Sequence, residues 1–288
     1  MDAPAPETTR EPRPLTAGEF EQLRGLAYEK FGLDLRQGKE HLVAARLGKI
    51  IRENKLGSFQ DFLHYVREDS TGQALISMIN ALTTNHTSFF RERAHFDFLK
   101  CVVLPALRGR QRLDLWSAAC SSGEEPYSIA FFLLEHAGWL PRIRILATDI
   151  STRALEQAAG GVYPAERLAN VPAAMVRNFL LRGEGSAAGF YRVKPRVREL
   201  VEFRRANLIE PPPKIGPFPV IFCRNVMIYF DKPTQERVAN GLAQCLEPGG
   251  WLLVGHAESL SGVRHELEYV QPAVYRKPAA GERSRRNK

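Results

Sequence analysis

Long apolar runs are absent from this sequence. No stretch approaches the roughly 20 consecutive apolar residues that a membrane-spanning helix needs, which excludes membrane insertion. The first residues, MDAPAPETTREPRP, also lack the apolar core of a secretory signal. These two absences predict a cytoplasmic protein.

Cysteine is scarce and is not clustered. The four cysteines stand far apart and form no CxxC motif, which argues against a zinc site or a disulfide framework. We therefore expect reduced, buried thiols and no bound metal.

Acidic residues are fewer than basic ones. The formal net charge of +8 suggests an acidic partner, which is a nucleic acid, a membrane surface or an anionic protein. Part of the excess lies in residues 278–288, which end in GERSRRNK and are predicted to be a disordered basic tail. The charge alone is thus weak evidence for nucleic-acid binding.

The hydrophobic pattern divides the chain into a helical part and an α/β part. Residues 1–14 are rich in proline and are predicted to be a disordered leader, and residues 15–80 are predicted to be a helical domain. One helix of this domain has an apolar stripe at helical spacing, made of Leu42, Val43, Leu47, Ile50 and Ile51. Residues 81–111 are interpreted as a linker.

From residue 112 to residue 277, short β-rich runs alternate with helices. This alternation predicts an α/β fold with a mostly parallel, doubly wound sheet and a ligand at the carboxyl ends of its strands. Residues from about 160 to 200 interrupt the pattern with the glycine-rich stretch GEGSAAG and with FYRV and VREL runs that resemble a small β hairpin. We interpret this segment as an inserted β-subdomain.

A loop of small residues follows the first predicted strand and opens a helix, as SAACSSGEEP. Small side chains let backbone approach a ligand, and a helix N-terminus offers free N–H groups. The dinucleotide motif G-x-G-x-x-G is absent, and Glu124 and Glu125 would repel a pyrophosphate. They suit instead a ligand that carries an ammonium and a sulfonium.

A further acid, Asp149, ends the second predicted strand, where it is suited to accept hydrogen bonds from ribose hydroxyls. Alternatively, Glu124 and Glu125 only favour the helix dipole and Asp149 only caps a turn. Taken together, the loop and its acids favour a site for S-adenosylmethionine (AdoMet).

Four motifs resemble the CheR-type family of chemotaxis-receptor methyltransferases. In chain order they are TTNHTSFFRE, SAACSSGEEPYSIA, LATDIS and FCRNVMIYFD, and the resemblance runs from about Leu15 to Lys277. It implies a helical N-terminal domain that docks on receptors, and a Rossmann-like AdoMet-dependent methyltransferase sheet with a small inserted β-subdomain. The implied enzyme is a protein-glutamate O-methyltransferase. It converts receptor glutamates to 5-O-methyl esters and AdoMet to S-adenosylhomocysteine, for adaptation in chemotaxis signalling.

The resemblance also assigns roles to residues at matching positions. Glu124 would bind the methionyl ammonium, Asp149 the ribose, and Asn207 and Leu208 the adenine. The residues predicted to bind the cofactor are Asn85, Thr87, Arg91, Glu124, Asp149, Asn207, Leu208, Arg224 and Asn225. Arg91 and Tyr229 would position the reacting groups in catalysis. Helix capping is the alternative for Asn85 and Thr87, and plain packing is the alternative for Leu208 and Tyr229.

Two surfaces are predicted to contact the receptor. Arg46, Lys49 and Arg52 lie on one predicted helix and would face acidic receptor helices, unless they form only a solvated helix face. The second surface would hold a C-terminal receptor pentapeptide, as in some members of this family, unless the glycines only make a hairpin turn. Its residues are Arg182, Gly183, Gly185, Gly189 and Arg192.

The implied reaction needs little catalytic machinery. A glutamate side chain has a reference pKa of about 4.3, so at neutral pH it is already an ionised nucleophile. None of the seven histidines, His86 included, is therefore given a catalytic role. Catalysis should come from alignment, with reacting atoms about 3–3.5 Å apart.

Two other functions have less support in the sequence. A base-amino methyltransferase acting on nucleic acid typically has a D/N-P-P-Y/F/W run after the fourth strand, where this chain reads Arg224-Asn225-Val226-Met227. A non-catalytic scaffold would not need a full set of cofactor-binding residues. We expect a monomer that binds AdoMet and chemoreceptors but neither nucleic acid nor metal.

Overall fold

The computed structural model describes residues 13–83, 86–140, 142–211 and 215–279. The predicted leader up to residue 12, the predicted tail from residue 280, and Asn85 lie outside the described residues. The chain forms two compact units that meet in sequence at residues 84 and 85. None of the described helices is long and apolar enough to cross a membrane.

The first unit contains four helices in its described part: α1 Ala17–Phe31, α2 Glu40–Glu53, α3 Phe59–Glu68 and α4 Gln73–Leu82. Local side chains specify where two of them begin. Thr16 and Glu19 form a reciprocal capping box at the start of α1, and the Ser58 hydroxyl accepts the Asp61 N–H at the start of α3. The predicted helical pattern is confirmed.

Helix α2 buries Val43, Leu47 and Ile51, which follow the 3.6-residue period of a helix. Leu42 was predicted to belong to the same stripe, but its side chain is 43% exposed. That prediction was wrong because each helical step turns about 100°, which carries Leu42 out of the face that Val43, Leu47 and Ile51 share.

The second unit is built on a sheet whose described strands run in the order β6-β2-β1-β7-β8-β10-β9. The strands are β1 Leu113–Ser117, β2 Ile143–Asp149, β6 Val201–Arg205, β7 Phe218–Cys223, β8 Leu246–Val254, β9 Glu268–Gln271 and β10 Val274–Arg276. The first five of these pair in parallel, and β9 and β10 are antiparallel. The predicted Rossmann-like sheet is confirmed.

Both faces of this sheet are buried, since neighbouring residues of one strand enter different cores. On β7, Val220 and Phe222 pack in one core, whereas Ile221 and Cys223 pack in the other. Such two-sided burial explains why β7 reads as a continuous apolar run, FPVIFC, without the polar alternation of a half-exposed strand.

The helices of the second unit connect and cover these strands. They include α5 Ala94–Phe98, a short α6 Leu104–Ala106, α7 Glu124–His136, α8 Thr152–Gly160 and α11 Lys232–Cys245. Helix α7 begins directly after the small-residue loop, as predicted. Most of its residues are buried, including Glu124 and Glu125 in its first turn.

The inserted segment is a separate small sheet with the order β3-β5-β4. Its strands are β3 Val162–Pro164, β4 Leu180–Arg182 and β5 Phe190–Val193, with helix α9 Ala173–Phe179 between β3 and β4. The predicted hairpin of FYRV with VREL was wrong, because residues Pro195–Arg198 form a helical turn, α10. A proline at the first position of that turn favours helix over strand.

Candidate functional site

The carboxyl ends of four parallel strands meet at one place in the second unit. The loop after β1 is bonded to both neighbours, since the Ala118 N–H donates to the Phe222 carbonyl at 2.7 Å and the Cys120 N–H to the Thr148 carbonyl at 2.9 Å. The Ala206 N–H donates to the carbonyl of Asp149 at 3.1 Å. The small-residue loop, Asp149 and the Asn207 segment are therefore neighbours, as a ligand at this edge requires.

The Asp149 carboxylate accepts backbone N–H groups from the loop after β1 and from the start of α8. Its Oδ2 accepts the Ser121 N–H at 2.8 Å, and its Oδ1 accepts the Ser151 N–H at 2.9 Å. Burial raises the pKa of Asp149, and these two N–H donors oppose the rise. Each carboxylate oxygen has a second lone-pair site, so Asp149 can still accept a ligand hydroxyl.

Glu124 is fully buried at the first turn of α7. Its Oε2 accepts the Ser122 hydroxyl at 2.7 Å, and its Oε1 lies 3.1 Å from Nη1 of Arg167 in the inserted segment. The sequence predicted the glutamate but not its arginine, because a residue 43 positions away in an insertion has no recognisable pattern.

The loop that leads to Glu124 depends on a glycine. Gly123 has a φ of +95°, and a Cβ there would lie 2.8 Å from the Ala158 Cβ and from the Tyr163 hydroxyl oxygen. A side chain at this position would therefore be strained by its backbone and would clash with α8 and β3. The close approach brings the start of α7 against the insertion.

Arg224 is buried beside two carboxylates at the end of β7. Its Nη1 donates to Oε2 of Glu125 at 2.9 Å, and its Nη2 donates to Oε2 of Glu92 at 3.0 Å. Glu125 also accepts the Ser117 hydroxyl at 2.7 Å. Burial raises the pKa of Glu125, whereas for Glu92 the Arg224 charge and several donors outweigh burial and lower the pKa.

Asn225 is held by acids on two other segments. Its N–H donates to Oε2 of Glu258 at 2.7 Å, and its side-chain Nδ2 donates to Oε1 of Glu92 at 3.2 Å. Gly255 passes so close that a Cβ there would lie 2.5 Å from the Asn225 Nδ2. Burial raises the pKa of Glu258, and the surrounding backbone N–H groups oppose the rise.

Three non-glycine residues of this site have left-handed backbone. The φ angles are +59° at Glu92, +48° at Ser121 and +60° at Asn225. This conformation is uncommon for residues with a side chain and persists only where neighbours hold it. Each of the three forms a hydrogen bond described above, so the strain is concentrated where the segments converge.

His95 is buried and unusual, because neither of its ring nitrogens has a hydrogen-bond partner within the described ranges. Burial first, and the nearby charge of Arg224 second, lower the pKa of His95 to about 3. Its ring lies edge-on to His256, and the side-chain donor atoms of Glu92, His95 and His256 lie within 4.8 Å of one another. Because Arg224, Asn225 and the His256 N–H already occupy both Glu92 oxygens, we assign no metal to this cluster.

The other predicted site residues lie around this centre. Thr87 is half-buried with its carbonyl 3.3 Å from Arg167, and Arg91 donates to the His86 carbonyl at 3.0 Å. No described helix begins at Thr87, so the capping alternative does not apply to it. Asn207 accepts the Ile209 N–H, and Leu208 packs against the core on its side of the sheet. Tyr229 ends a short 3₁₀ turn and is half-buried.

The residues predicted to dock receptors lie elsewhere. In the first unit, Lys49 and Arg52 are exposed on α2, while Arg46 is half-buried and donates to the Leu82 carbonyl. In the insertion, Arg182 and Arg192 are exposed on paired strands, and Gly183, Gly185 and Gly189 belong to the connection between them. These roles stay predictions.

Sequence reasoning missed Glu92, Arg167 and Glu258 as parts of the site. One signal was present for the first, because a buried arginine such as Arg224 requires an acidic partner. Nothing in the chain says which acid it is, since Glu92 lies 132 positions from Arg224.

Comparisons with known proteins identify the family to which the two units are similar. A family model described as "CheR methyltransferase, SAM binding domain" matches residues 85–275, where SAM is AdoMet, and one described as "CheR methyltransferase, all-alpha domain" matches residues 18–83. The chain is 44% identical to chemotaxis protein methyltransferase 2 of Pseudomonas aeruginosa, over 90% of this chain and 93% of the relative. It is 38% identical to the chemotaxis protein methyltransferase of Salmonella typhimurium, over 91% of this chain and 90% of the relative. It is 36% identical to the chemotaxis protein methyltransferase of Escherichia coli, over 91% of this chain and 91% of the relative.

His95 should make the second unit sensitive to acid. The folded-state pKa of about 3 lies below the ordinary value of 6.5, so the unfolded chain binds the proton more readily. The stability that depends on neutral His95 is complete above the unfolded pKa and is lost as the pH falls towards 3. His95→Gln should reduce the slope of unfolding free energy against pH, between pH 7 and about pH 5, by about 1 kcal/mol per pH unit.

Urea melts followed by tryptophan fluorescence measure this slope, because Trp116, Trp139 and Trp251 all belong to the second unit. The matched control is His41→Gln, which removes an exposed histidine of the first unit. An unchanged slope in His95→Gln would show that His95 is not held neutral.

Proposed function

The chain belongs to the CheR methyltransferase family, and we propose that it methylates glutamate side chains of chemoreceptors. It is an AdoMet-dependent methyltransferase of chemotaxis, as the family models and its relatives show. The proposal adds the acceptor, the residues that bind each group, and the surfaces that bind the receptor.

The observation that carries the proposal is the charge of the site. A loop of small residues lies between two carboxylates, Glu124 at the first turn of α7 and Asp149 at the end of β2, and the loop sequence contains no lysine or arginine run suited to a phosphate. A cationic sulfonium ligand with an ammonium and a ribose fits such a site, whereas a dinucleotide would be repelled. We propose that Glu124 binds the ammonium and Asp149 the ribose.

The remaining cofactor roles are proposed for residues around the same strand ends. Asn207 and Leu208 follow β6, next to Asp149, and supply a polar edge and an apolar face for the adenine. Arg224 and Asn225 close the site after β7. Thr87 and Arg91 approach from the motif before α5, and the role proposed for Asn85 falls outside the described residues.

In the proposed reaction the sulfonium supplies an activated methyl group to a carboxylate that is already ionised at neutral pH. The chain therefore needs no general base, and its task is to bind, align and exclude water. Arg91 and Tyr229 are proposed to position the acceptor. The Arg91 carbonyl accepts an N–H of Arg224, and Tyr229 ends the 3₁₀ turn that follows Asn225 in the chain. His95, kept neutral by burial, has no part in proton transfer.

Two alternatives have less support. A nucleic-acid methyltransferase is favoured only by the net charge of +8, since Arg224-Asn225-Val226-Met227 replaces the motif expected of a base-amino enzyme. A scaffold without activity would not require Glu124, Asp149 and Arg224 to be buried with partners. We propose a monomer acting in the cytoplasm on receptor proteins, without nucleic acid, membrane insertion or metal.

The docking surface proposed for the first unit is the basic side of α2. Lys49 and Arg52 are exposed there, and Arg46, half-buried on the same helix, donates to the Leu82 carbonyl. Lys49 also lies 3.7 Å from Glu53, an exposed pair that costs little to break. An acidic receptor helix would therefore find two exposed cations, Lys49 and Arg52, on this side of α2.

The second docking surface proposed is the open edge of the inserted sheet. The Gly183 N–H donates to the Phe190 carbonyl, across the β4–β5 pair. In an antiparallel pair, residues that bond to the partner strand alternate with residues that do not. The N–H and C=O of Arg182 therefore point away from β5, towards the open edge of β4. An extended peptide could add there as a further strand, with Arg182 and Arg192 for its acidic groups or terminal carboxylate. Gly185 and Gly189 have positive φ and open surroundings, so their first role is the turn itself.

Incubation of the full chain with receptor and labelled AdoMet should give alkali-labile glutamate methyl esters, detected by mass spectrometry. Lys49→Glu/Arg52→Glu should raise KM for the receptor roughly tenfold or more, because each reversal exchanges an attraction of about 0.5 kcal/mol for a similar repulsion. Affinity for AdoMet should not change. The matched control, Arg36→Glu/Lys39→Glu, makes the same charge change at exposed residues outside that face.

Label in tRNA but not in any receptor would contradict the proposed function. An equal KM in both double variants would contradict only the docking helix, since net charge and not position would then matter.

Calorimetry with C-terminal pentapeptides of receptors from the same organism tests the tether. Saturable binding with a Kd of about 1–100 μM is expected, together with its loss in Arg182→Ala/Arg192→Ala. Arg177→Ala, an exposed arginine on α9, is the control and should bind normally. The absence of binding by every such pentapeptide rejects the tether and leaves the methyltransferase assignment intact.

A further inference from the structure

The inserted β-subdomain contributes a cation to the wall of the cofactor site. Arg167 lies in the 3₁₀ turn Ala165–Leu168, directly after β3. Its Nη1 lies 3.1 Å from Oε1 of Glu124 and 3.3 Å from the carbonyl oxygen of Thr87. The arginine thus joins two segments for which a cofactor role is proposed.

The guanidinium of Arg167 is only partly used by the protein. Its side chain is 42% exposed, whereas that of Glu124 is fully buried. Among the residues that the structure describes, Nε and Nη2 of Arg167 have no hydrogen-bond partner. Because a guanidinium presents five N–H donors in a planar fork that suits a carboxylate, its remaining donors are available to an anionic ligand group.

Glu124 also keeps acceptor capacity. One of its oxygens accepts the Ser122 hydroxyl and the other accepts Arg167, and each oxygen has a second lone-pair site. Once the ligand opens a path to this fully buried carboxylate, its ammonium can therefore bind Glu124 together with the arginine. A lone buried glutamate would attract the ammonium of an amino acid but repel its carboxylate, whereas the Glu124–Arg167 pair matches both charges.

The position of Arg167 is specified by its neighbours. Tyr163 is fully buried on β3, and its hydroxyl donates to the Ser122 carbonyl at 2.7 Å. Its ring also packs edge-on against Phe89 of the TTNHTSFFRE motif, with centroids 5.0 Å apart. The start of the insertion is therefore bonded and packed onto the loop that carries Glu124.

We infer that Arg167 binds the α-carboxylate of AdoMet while Glu124 binds its ammonium. This inference rests on the proposed placement of the ammonium at Glu124. It makes the insertion a part of the cofactor site, and it makes the amino-acid end of AdoMet the group that the chain recognises through paired charges. Sulfonium nucleosides without that carboxylate should bind more weakly.

Calorimetry with two ligands tests the inference on the full chain. Decarboxylated AdoMet keeps the sulfonium and the terminal amine but lacks the carboxylate. The unmodified chain should prefer AdoMet by about tenfold or more, the usual effect of a hydrogen bond to a charged group. Arg167→Gln should lose that preference, through about tenfold weaker binding of AdoMet and equal or tighter binding of the decarboxylated ligand.

The controls separate this inference from the function on which it rests. Arg177→Gln should leave both affinities unchanged, and Arg167→Lys, which retains a charge without the fork, should keep part of the preference. Glu124→Gln should weaken both ligands, because both carry the amine. If Glu124→Gln changes neither affinity, the proposed ammonium site itself fails, whatever Arg167 does.

The inference is overturned if the unmodified chain binds the two ligands equally. It is also overturned if Arg167→Gln weakens both ligands alike or neither, or if Arg91→Gln is the variant that removes the preference. Urea melts of Arg167→Gln without ligand show whether this variant has a folding defect. If it has one, Arg167→Lys replaces it, and a preference for AdoMet as strong as in the unmodified chain or wholly absent would overturn the inference.

Discussion

One buried guanidinium holds together the segments that form the proposed cofactor site. Arg224 lies at the end of β7 and donates to Glu125 on α7 at 2.9 Å and to Glu92 before α5 at 3.0 Å. Charges buried this deeply are tolerated only when they are paired and hydrogen-bonded. The paired charges therefore fix the relative positions of three segments that are far apart in sequence.

The acids around this cation also support the kind of ligand that is proposed for the site. Glu92, Glu125 and Glu258 surround Arg224 and Asn225, Glu124 begins α7, and Asp149 ends β2. Carboxylates outnumber the buried guanidinium, which suits a cationic sulfonium better than a phosphate. The same hydrogen bonds stabilise the left-handed backbone of Glu92 and Asn225, so charge and backbone geometry depend on one another.

The elements were predictable from sequence where the pattern is local. Helix α7 begins directly after the small-residue loop as predicted, and Asp149 ends β2 as predicted, because the loop and the hydrophobic pattern are local signals. The VREL run failed because its apolar spacing resembles a strand, while Pro195 starts a helical turn.

Contacts between distant segments were not predictable from one sequence. A buried Arg224 signalled that an acid must be near, but its partner Glu92 comes from a segment 132 positions away. Arg167 gave no signal at all, since it lies in an insertion whose own strand pairing had to be known first. The family resemblance supplied the roles of Asn207 and Leu208, which by composition alone are ordinary residues.

The central claim, that the second unit depends on the Arg224 ion pairs, is tested most directly by a double-mutant cycle. Urea melts followed by tryptophan fluorescence would compare Arg224→Met, Glu125→Gln and the double variant. The account predicts that Arg224→Met loses about 3–5 kcal/mol, because it leaves buried carboxylates unpaired. It predicts that adding Glu125→Gln restores at least about 1 kcal/mol, since one of those charges is then removed. A loss below about 1 kcal/mol in Arg224→Met, or simple additivity in the double variant, would contradict it.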